Sequence, residues 1–485
     1  MKLFKSILSI LIILNLTAAF AIIEKDEHSV FFNIPDIKAG MVLNVQDCVA
    51  LAFKNSPRVK RKKYELDIAK SNVKLAKSRF FPSLSLGVGF NYERNSNSVY
   101  YDKRYRDLPN VGVGINQLIW DFGKTTANIK MEEFYKIAAE YEFMDELCHT
   151  LFDIKAKYYS VLKEKALVEV SDKDTEIAQE FVKIAKNKTD LAIAKYYLSK
   201  ADIEGIEQEK RLNNAKYDLF NSMYLDNYFD FSIKNTETFD FNIERINPFS
   251  PVIFPFKDNE APEIAYENSP DLRVLINTKQ AMEESLKYIK RTYFPELSAG
   301  VGYGLNNTNF ATNNSLSVGV GLTSDINIAE LKNNIDIAHS EVDLADNEIL
   351  LFKKDLYWEV QRALNNVEKT KTELENTIKE TKIAYDNLNL VKKEYKENNL
   401  NYTALQDARK DYIDTSIKYV SNLYDYNMAL IQTEMALHYH IVDIHHKSQH
   451  AMHHHADELI EHLNDVLDCD EKENKSKKKK KIKSL

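Results

Sequence analysis

The sequence predicts an α+β membrane protein in which long α-helical hairpins, duplicated in tandem, carry two β-hairpins per chain. Three observations predict it. One stretch occurs twice in a single register: Asn55-Ser56-Pro57 leads to Phe81-Pro82-Ser83-Leu84, and Asn268-Ser269-Pro270 leads to Phe294-Pro295-Glu296-Leu297. Lys74 and Lys77 fall on Lys287 and Lys290 at the same offset. Unrelated turn signals do not hold one register by chance, so the chain is a duplication. Second, nine of the 12 glycines (87, 89, 112, 114, 300, 302, 304, 319 and 321) lie in four short segments where apolar and small residues alternate. Third, glycine is absent from 124 to 204 and from 322 onward, and proline from 110 to 247 and from 296 onward. Very long helices require such freedom from breakers.

The elements follow in order. Residues 22–42 are a lead-in, and Leu43 to Asp47 opens a short helix through Ala52. A helix over 57–79 starts at Pro57, where a missing N–H costs little, and stops before Pro82. Leu84, Leu86, Val88, Phe90 and Tyr92 then alternate with Ser83, Ser85, Gly87, Gly89 and Asn91, the pattern of a two-faced strand. A polar loop from Glu93 to Asn110 joins it to a partner strand carrying Val111, Val113, Ile115, Gln117 and Ile119. Trp120 ends that strand, where an indole suits a membrane–water interface.

From Gly123 to about Lys186 one helix of about 64 residues is expected, roughly 96 Å long. Asn187 marks its tip, since asparagine tolerates a left-handed turn. The return helix, about 189–225, shows a heptad-like seam of Leu198, Ala201, Gly205, Leu212, Ala215 and Leu219. Residues 226–262 gather Pro248, Pro251, Pro255 and Pro262 among phenylalanines and read as a linker with small strands. The second repeat, 263–437, follows the same plan: a helix over 270–292, a β-hairpin at about 296–323 with an Asn/Thr loop at 305–314, and a helix from Ile328 to Asn398. After a tip at Asn398-Asn399-Leu400-Asn401, a return helix carries Leu405, Ala408, Tyr412, Tyr419, Leu423, Tyr426 and Leu430. The tyrosines of that series read as packing residues.

Residues 1–21 form a secretory signal: Lys2 and Lys5, an apolar run from Ile7 to Leu16, and Ala19-Phe20-Ala21 as the cleavage site. Its removal takes the formal charge from −8 to −10, because two lysines and no acid are lost. Nothing in that balance points to nucleic acid. Three scattered cysteines make no disulfide framework. No phosphate loop, zinc-protease helix or nucleophile elbow occurs, so neither an enzyme nor a cofactor is expected.

Four strands of about ten residues with one apolar and one Ser/Gly/Asn face suit a bilayer and a wet interior. Four strands cannot close a barrel, and an open edge cannot sit in lipid. The sequence therefore predicts an oligomer that pools hairpins into one outer-membrane pore, with the helices continuing it as a periplasmic tube. The other reading is a periplasmic coiled-coil scaffold or adaptor without a pore. It explains the heptads and the signal, but not the four alternating strands.

The duplicated helix–proline–strand unit, the Trp120-Asp121-Phe122-Gly123-Lys124 exit into a long helix, and the two tip-then-heptad segments resemble the TolC-type outer membrane efflux protein family over about 43–437. The resemblance implies a homotrimer with a 12-stranded outer-membrane β-barrel continuous with a periplasmic α-barrel. It implies docking through the helix tips to a periplasmic adaptor protein and an inner-membrane pump or ABC transporter, besides contact with outer-membrane lipid. Asn187 and Asn398 or Asn399 stand where the family commonly has a glycine at the tip turn. Asp407-Ala408 matches an acidic step that in some members forms an anionic constriction, whereas Ala404 replaces the other acidic position. A ring of Asp407 carboxylates would favour cations; the alternative is a solvated helix charge, paired with Arg409. The tail, 438–485, holds nine of the 12 histidines and a lysine run. His446, His450 and His454 share a helix face at i, i+4 spacing as candidate ligands for Zn²⁺, Cu²⁺ or Ni²⁺; the other reading is a polar tail with no fixed ligand set.

Overall fold

The structure is a computed structural model that describes residues 40–93, 106–225, 228–236, 238–243, 249–308, 311–324, 327–397 and 400–438. The signal-peptide positions Ala19 and Ala21, the tip residues Asn398 and Asn399, and the tail histidines His446, His450 and His454 lie outside the described residues.

Each half opens with a short helix followed by a medium one. In the first half these are α1 (Val45–Asn55) and α2 (Pro57–Ser78). Asn44 and Asp47 form a reciprocal capping box at the start of α1, which ties down two backbone donors that the helix itself leaves free. Ser56 caps α2 and Pro57 stands in its first turn. Strands β2 (Ser83–Glu93) and β3 (Arg106–Trp120) follow; a short β1 (Met41–Leu43) precedes α1. Then come α3 (Lys124–Ile184) and α4 (Lys188–Ser222), joined by a short connection. Between the halves lies β4 (Phe231–Ile233), which pairs in parallel with β1. Tyr158 of α3 donates its hydroxyl to the carbonyls beside that pair, 2.6 Å from Lys234 O and 3.1 Å from Leu43 O.

The second half contains α5 (Ala261–Asn268), α6 (Pro270–Arg291), β5 (Glu296–Thr308), β6 (Ala311–Thr323), α7 (Ile328–Lys396) and α8 (Tyr402–Leu437). Helix α5 begins inside the expected linker, where the sequence pattern predicts no helix. Its Ala261 and Ala265 pack with Leu356, Val360 and Leu437 in one apolar cluster. The long helices α3 and α7, 61 and 69 residues, span roughly 92 and 104 Å. Helices α2 and α4 share one side of α3, α6 and α8 pack on the other, and α7 packs outside α6 and α8. The order across the chain is α2/α4, α3, α6/α8, α7, with α2/α4 at one edge and α7 at the other.

The main sheet has the order β2-β3-β5-β6, antiparallel throughout, and its edge strands are β2 and β6. The register aligns Leu86 with Val113, Val113 with Tyr303 and Tyr303 with Leu316, so the apolar residues of all four strands share one face. On this chain that face is exposed. The other face carries the glycines and serines. Ser85 Oγ donates to Gly114 O at 3.2 Å, and a Cβ on Gly114 would lie 2.7 Å from that hydroxyl. The expected loop at 305–314 is corrected: β5 and β6 continue through it to the pair Thr308↔Ala311, because the backbone ladder extends beyond the apolar band. Likewise β3 begins at Arg106, inside the loop expected over 93–110.

The two halves meet along α3 and α6. There Asp145 of α3 faces Asp271 of α6, His149 Nε2 lies 3.4 Å from Asp145 Oδ2, and Lys62 of α2 bonds Glu142 at 2.8 Å. Burial, then the Asp271 charge, pushes the Asp145 carboxyl up to about 6. The folded chain therefore holds this proton up to about pH 6, while the unfolded chain releases it near pH ~3.9. Native protein binds more protons between these values, so this group's contribution to stability falls as pH rises through them. Asp145→Asn is expected to stabilise the protein by about 1–2 kcal/mol at pH 7.5. The gain should vanish at pH 4. Thermal melts followed by circular dichroism at the two pH values check it.

Candidate functional site

The sequence places its tip residues at the far end of the helical hairpins, and polar contacts concentrate there. Asn187 stands between α3 and α4, but not in a left-handed turn. Its backbone is extended (φ −135°, ψ 171°), and its side chain caps α4 by accepting from Asp190 N at 2.7 Å. The physical reason is that an N-cap residue needs extended geometry to aim its side chain at the first turn. Asn401 does the same for α8, accepting from Ala404 N at 2.9 Å.

Near the tips, polar contacts tie the α3/α4 hairpin to the α7/α8 hairpin. Tyr395 of α7 donates its hydroxyl to Asp190 of α4 at 2.8 Å. Lys186, in the connection after α3, donates to the Tyr395 and Lys396 carbonyls and places its ammonium 4.6 Å from the centre of the Tyr395 ring. Lys392 pairs with Glu180. Deeper in, Arg409 of α8 grips Asp174 of α3 with both arms, Nε to Oδ1 at 2.7 Å and Nη2 to Oδ2 at 2.6 Å. Arg409 also donates to Gln406 Oε1, and Gln406 donates to the Tyr402 hydroxyl at 2.7 Å. Burial and the hydrogen bond to Asp190 push the Tyr395 phenol up to about 12. It therefore stays protonated at physiological pH and serves Asp190 as a fixed donor.

Asp407 is exposed on the second turn of α8, one residue before the buried Ala408. The expected alternative of an Asp407–Arg409 pair is corrected: Arg409 points into the helix contact and is taken by Asp174. Residues two apart on a helix do not face each other. Tyr412, Tyr419 and Tyr426 are buried on α8. Tyr426 accepts from Val252 N at 3.0 Å, Tyr412 donates to Ile243 O, and the Phe249 ring stands edge-on to Tyr426. These side chains clamp the segment between the halves onto α8.

Asp174, Glu180, Lys186, Asp190, Lys392 and Tyr395 carry no signal of their own in the sequence. Their partners lie in the opposite half of the duplication, and only the juxtaposition of two tips identifies them. Among the described residues no group of three or more His, Cys, Asp or Glu side chains is arranged to hold a metal. No helix among them is long and apolar enough to cross a membrane.

A family model described as "Outer membrane efflux protein" matches residues 49–219 and 261–437, one segment in each half. The outer membrane protein TolC of Vibrio cholerae is 34% identical over 101 residues, which is 20% of this chain and 20% of that protein. Among solved structures, the Campylobacter jejuni CmeC outer membrane channel superposes with a TM-score of 0.69 at 13% identity, over 90% of this chain and 97% of that one. The open state of the Neisseria gonorrhoeae MtrE outer membrane channel gives 0.68 at 13% identity, over 87% and 98%. At such identities the likeness is one of fold.

Proposed function

Because the chain belongs to the outer membrane efflux protein family, we propose that it is the outer-membrane exit duct of a tripartite efflux or type I secretion system. Three copies pool their sheets into a 12-stranded barrel, and their helices extend it as a tube into the periplasm. The carrying observation is the four-stranded sheet, exposed and apolar on one face and open at both edges. Lipid tolerates the apolar face but not the open edges, so β6 of one copy must pair with β2 of the next. The helical edges repeat the logic. Ile337, Leu344, Leu351 and Trp358 are exposed on α7 at intervals of seven, and Tyr64, Ile68 and Leu75 are exposed on α2. Edges that differ in this way join head to tail and close into a ring. A soluble scaffold would have no use for the exposed sheet face.

In this reading the hairpin tips face a periplasmic adaptor and, through it, an inner-membrane pump or ABC transporter. The exposed Asp407 of each copy turns toward the axis and forms the anionic mouth. The division into signal peptide (1–21), repeats (22–225 and 263–437), linker (226–262) and tail (438–485) belongs to the same proposal, as does metal binding by His446, His450 and His454 of the tail. The test is single-channel conductance of detergent-purified mature protein in a planar bilayer. Stable cation-preferring pores are expected, and Asp407→Ala should weaken the preference by several-fold, since the variant removes a charge from each copy at the narrowest point. Absence of pores from folded oligomer would overturn the duct. Unchanged selectivity in the variant would remove only Asp407.

A further inference from the structure

The end of the sheet nearest the helices carries a feature that a duct does not require. Strand β3 pairs with β5 through Gln117↔Ala299 and Leu118↔Ser298, then slips so that Trp120 lies opposite Leu297. Alternation alone would put Trp120 on the glycine face. The extra residue, Ile119, transfers it to the apolar row, as a bulge does when it re-aims a side chain. Trp120 stands exposed there, and an aromatic series leads from it toward the helices. Trp120 meets Phe122 edge-on at 6.0 Å, Phe122 stacks on Phe294 at 5.1 Å, and Phe294 stacks on Tyr293 at 4.2 Å. Phe80 and Phe81, the equivalents of Tyr293 and Phe294 in the first repeat, are exposed as well.

Cations lie immediately beyond the aromatics. The last two turns of α2 and α6 and the residue just after α2 carry Lys74, Lys77, Arg79, Lys287, Lys290 and Arg291, in a chain whose formal net charge is −8. Three of them have carboxylate partners: Lys77 with Glu133, Arg79 with Glu296, and Lys287 with Glu284. Arg291 donates to the neutral Gly123 carbonyl at 2.8 Å. Lys74 and Lys290 are exposed and form no ion pair among the described residues. An aromatic belt followed by uncompensated lysines on flexible stems matches the depth profile of an acyl chain ending in a phosphate.

We propose that this collar binds the headgroups of anionic phospholipids in the leaflet facing the periplasm. Trp120, Phe122 and Tyr293 lie against the glycerol and upper acyl region, while Lys74 and Lys290 meet the phosphate. The proposal rests on the outer-membrane reading of the sheet. It adds a lipid preference, written into both repeats, at the joint where barrel becomes tube.

The test is quenching of tryptophan fluorescence in purified mature protein, reconstituted into phosphatidylcholine vesicles with equal mole fractions of either brominated phosphatidylglycerol or brominated phosphatidylcholine. The chain has two tryptophans. Trp358 sits about 45 Å along α7 from the sheet, beyond reach of the lipid, so quenching reports Trp120. Stronger quenching by the anionic lipid is expected, with a preference of up to roughly fivefold per lysine. It should collapse in 0.5 M NaCl and in Lys74→Gln/Lys290→Gln, and survive in Lys74→Arg/Lys290→Arg. Equal quenching by the two lipids at low salt would overturn the proposal and leave the duct intact. Absence of quenching by either lipid would instead overturn the lipid-facing reading of the sheet, and this inference with it.

Discussion

Glu434→Ala is expected to cost about 3–5 kcal/mol of stability. Glu434 of α8 bonds Lys155 of α3 at 2.7 Å, with 0% and 2% of the two side chains exposed. The pair joins the two halves of the duplication across 279 residues of sequence. One turn along α3, Tyr158 holds the β1–β4 pair through the Leu43 and Lys234 carbonyls. Truncating Glu434 leaves an ammonium ion where water cannot reach it. That is the costly case; removing both charges together is not, because desolvation then disappears with the attraction. The paired replacement Lys155→Met/Glu434→Leu should therefore recover most of the loss. Thermal melts of the detergent-purified protein, followed at 222 nm, should show the single variant lower by roughly 5 °C or more. A single variant that melts with the parent would mean the pair contributes nothing net.

Much of this fold can be read from one-dimensional pattern. The repeated Ser-Pro starts and Phe-Pro stops mark both medium helices, since capping and proline geometry act locally. The alternation from Ser83 to Phe90 gives the two faces of β2, and the same rule gives the faces of β5 and β6. What escapes the sequence is whatever depends on two distant segments meeting. The shift of Trp120 onto the apolar row is set by its pairing with β5, a strand of the other repeat, through the Trp120↔Leu297 register. Helix α5 is eight residues long, too short for a periodic signal, and exists because Leu437 and Leu356 cover its alanines. Tolerance of left-handed geometry points to Asn187 as a tip residue, yet it serves there as an extended cap. Proximity in sequence offers Arg409 to Asp407, whereas its partner Asp174 lies in the other half of the chain.

Asp174 and Arg409 also carry the second large prediction: Arg409→Ala should shift the proposed duct toward a more conductive state. Near the tips the α3/α4 and α7/α8 hairpins are held by polar contacts that differ in strength. Tyr395–Asp190 is one hydrogen bond, worth about 1.5–3 kcal/mol when its acceptor is charged. The Lys392–Glu180 pair is partly exposed, and exposed pairs contribute about 1 kcal/mol or less. Asp174–Arg409 is bidentate and almost fully buried. Without the guanidinium, Asp174 must find water, and it gains water only if the hairpins part. Breaking a buried pair costs about 3–5 kcal/mol, and carrying a two-state equilibrium from 1:99 to 99:1 takes about 5.5 kcal/mol. The variant should therefore populate an open tip at an appreciable level, seen in planar bilayers as a higher mean conductance or longer open times. Tyr395→Phe, which removes a single donor, should move the same readout less. The double variant Asp174→Leu/Arg409→Met restores an uncharged, packed contact and should return conductance toward the parent. If Arg409→Ala conducts like the parent while its helical content and melting are unchanged, the tip is held by something other than this pair.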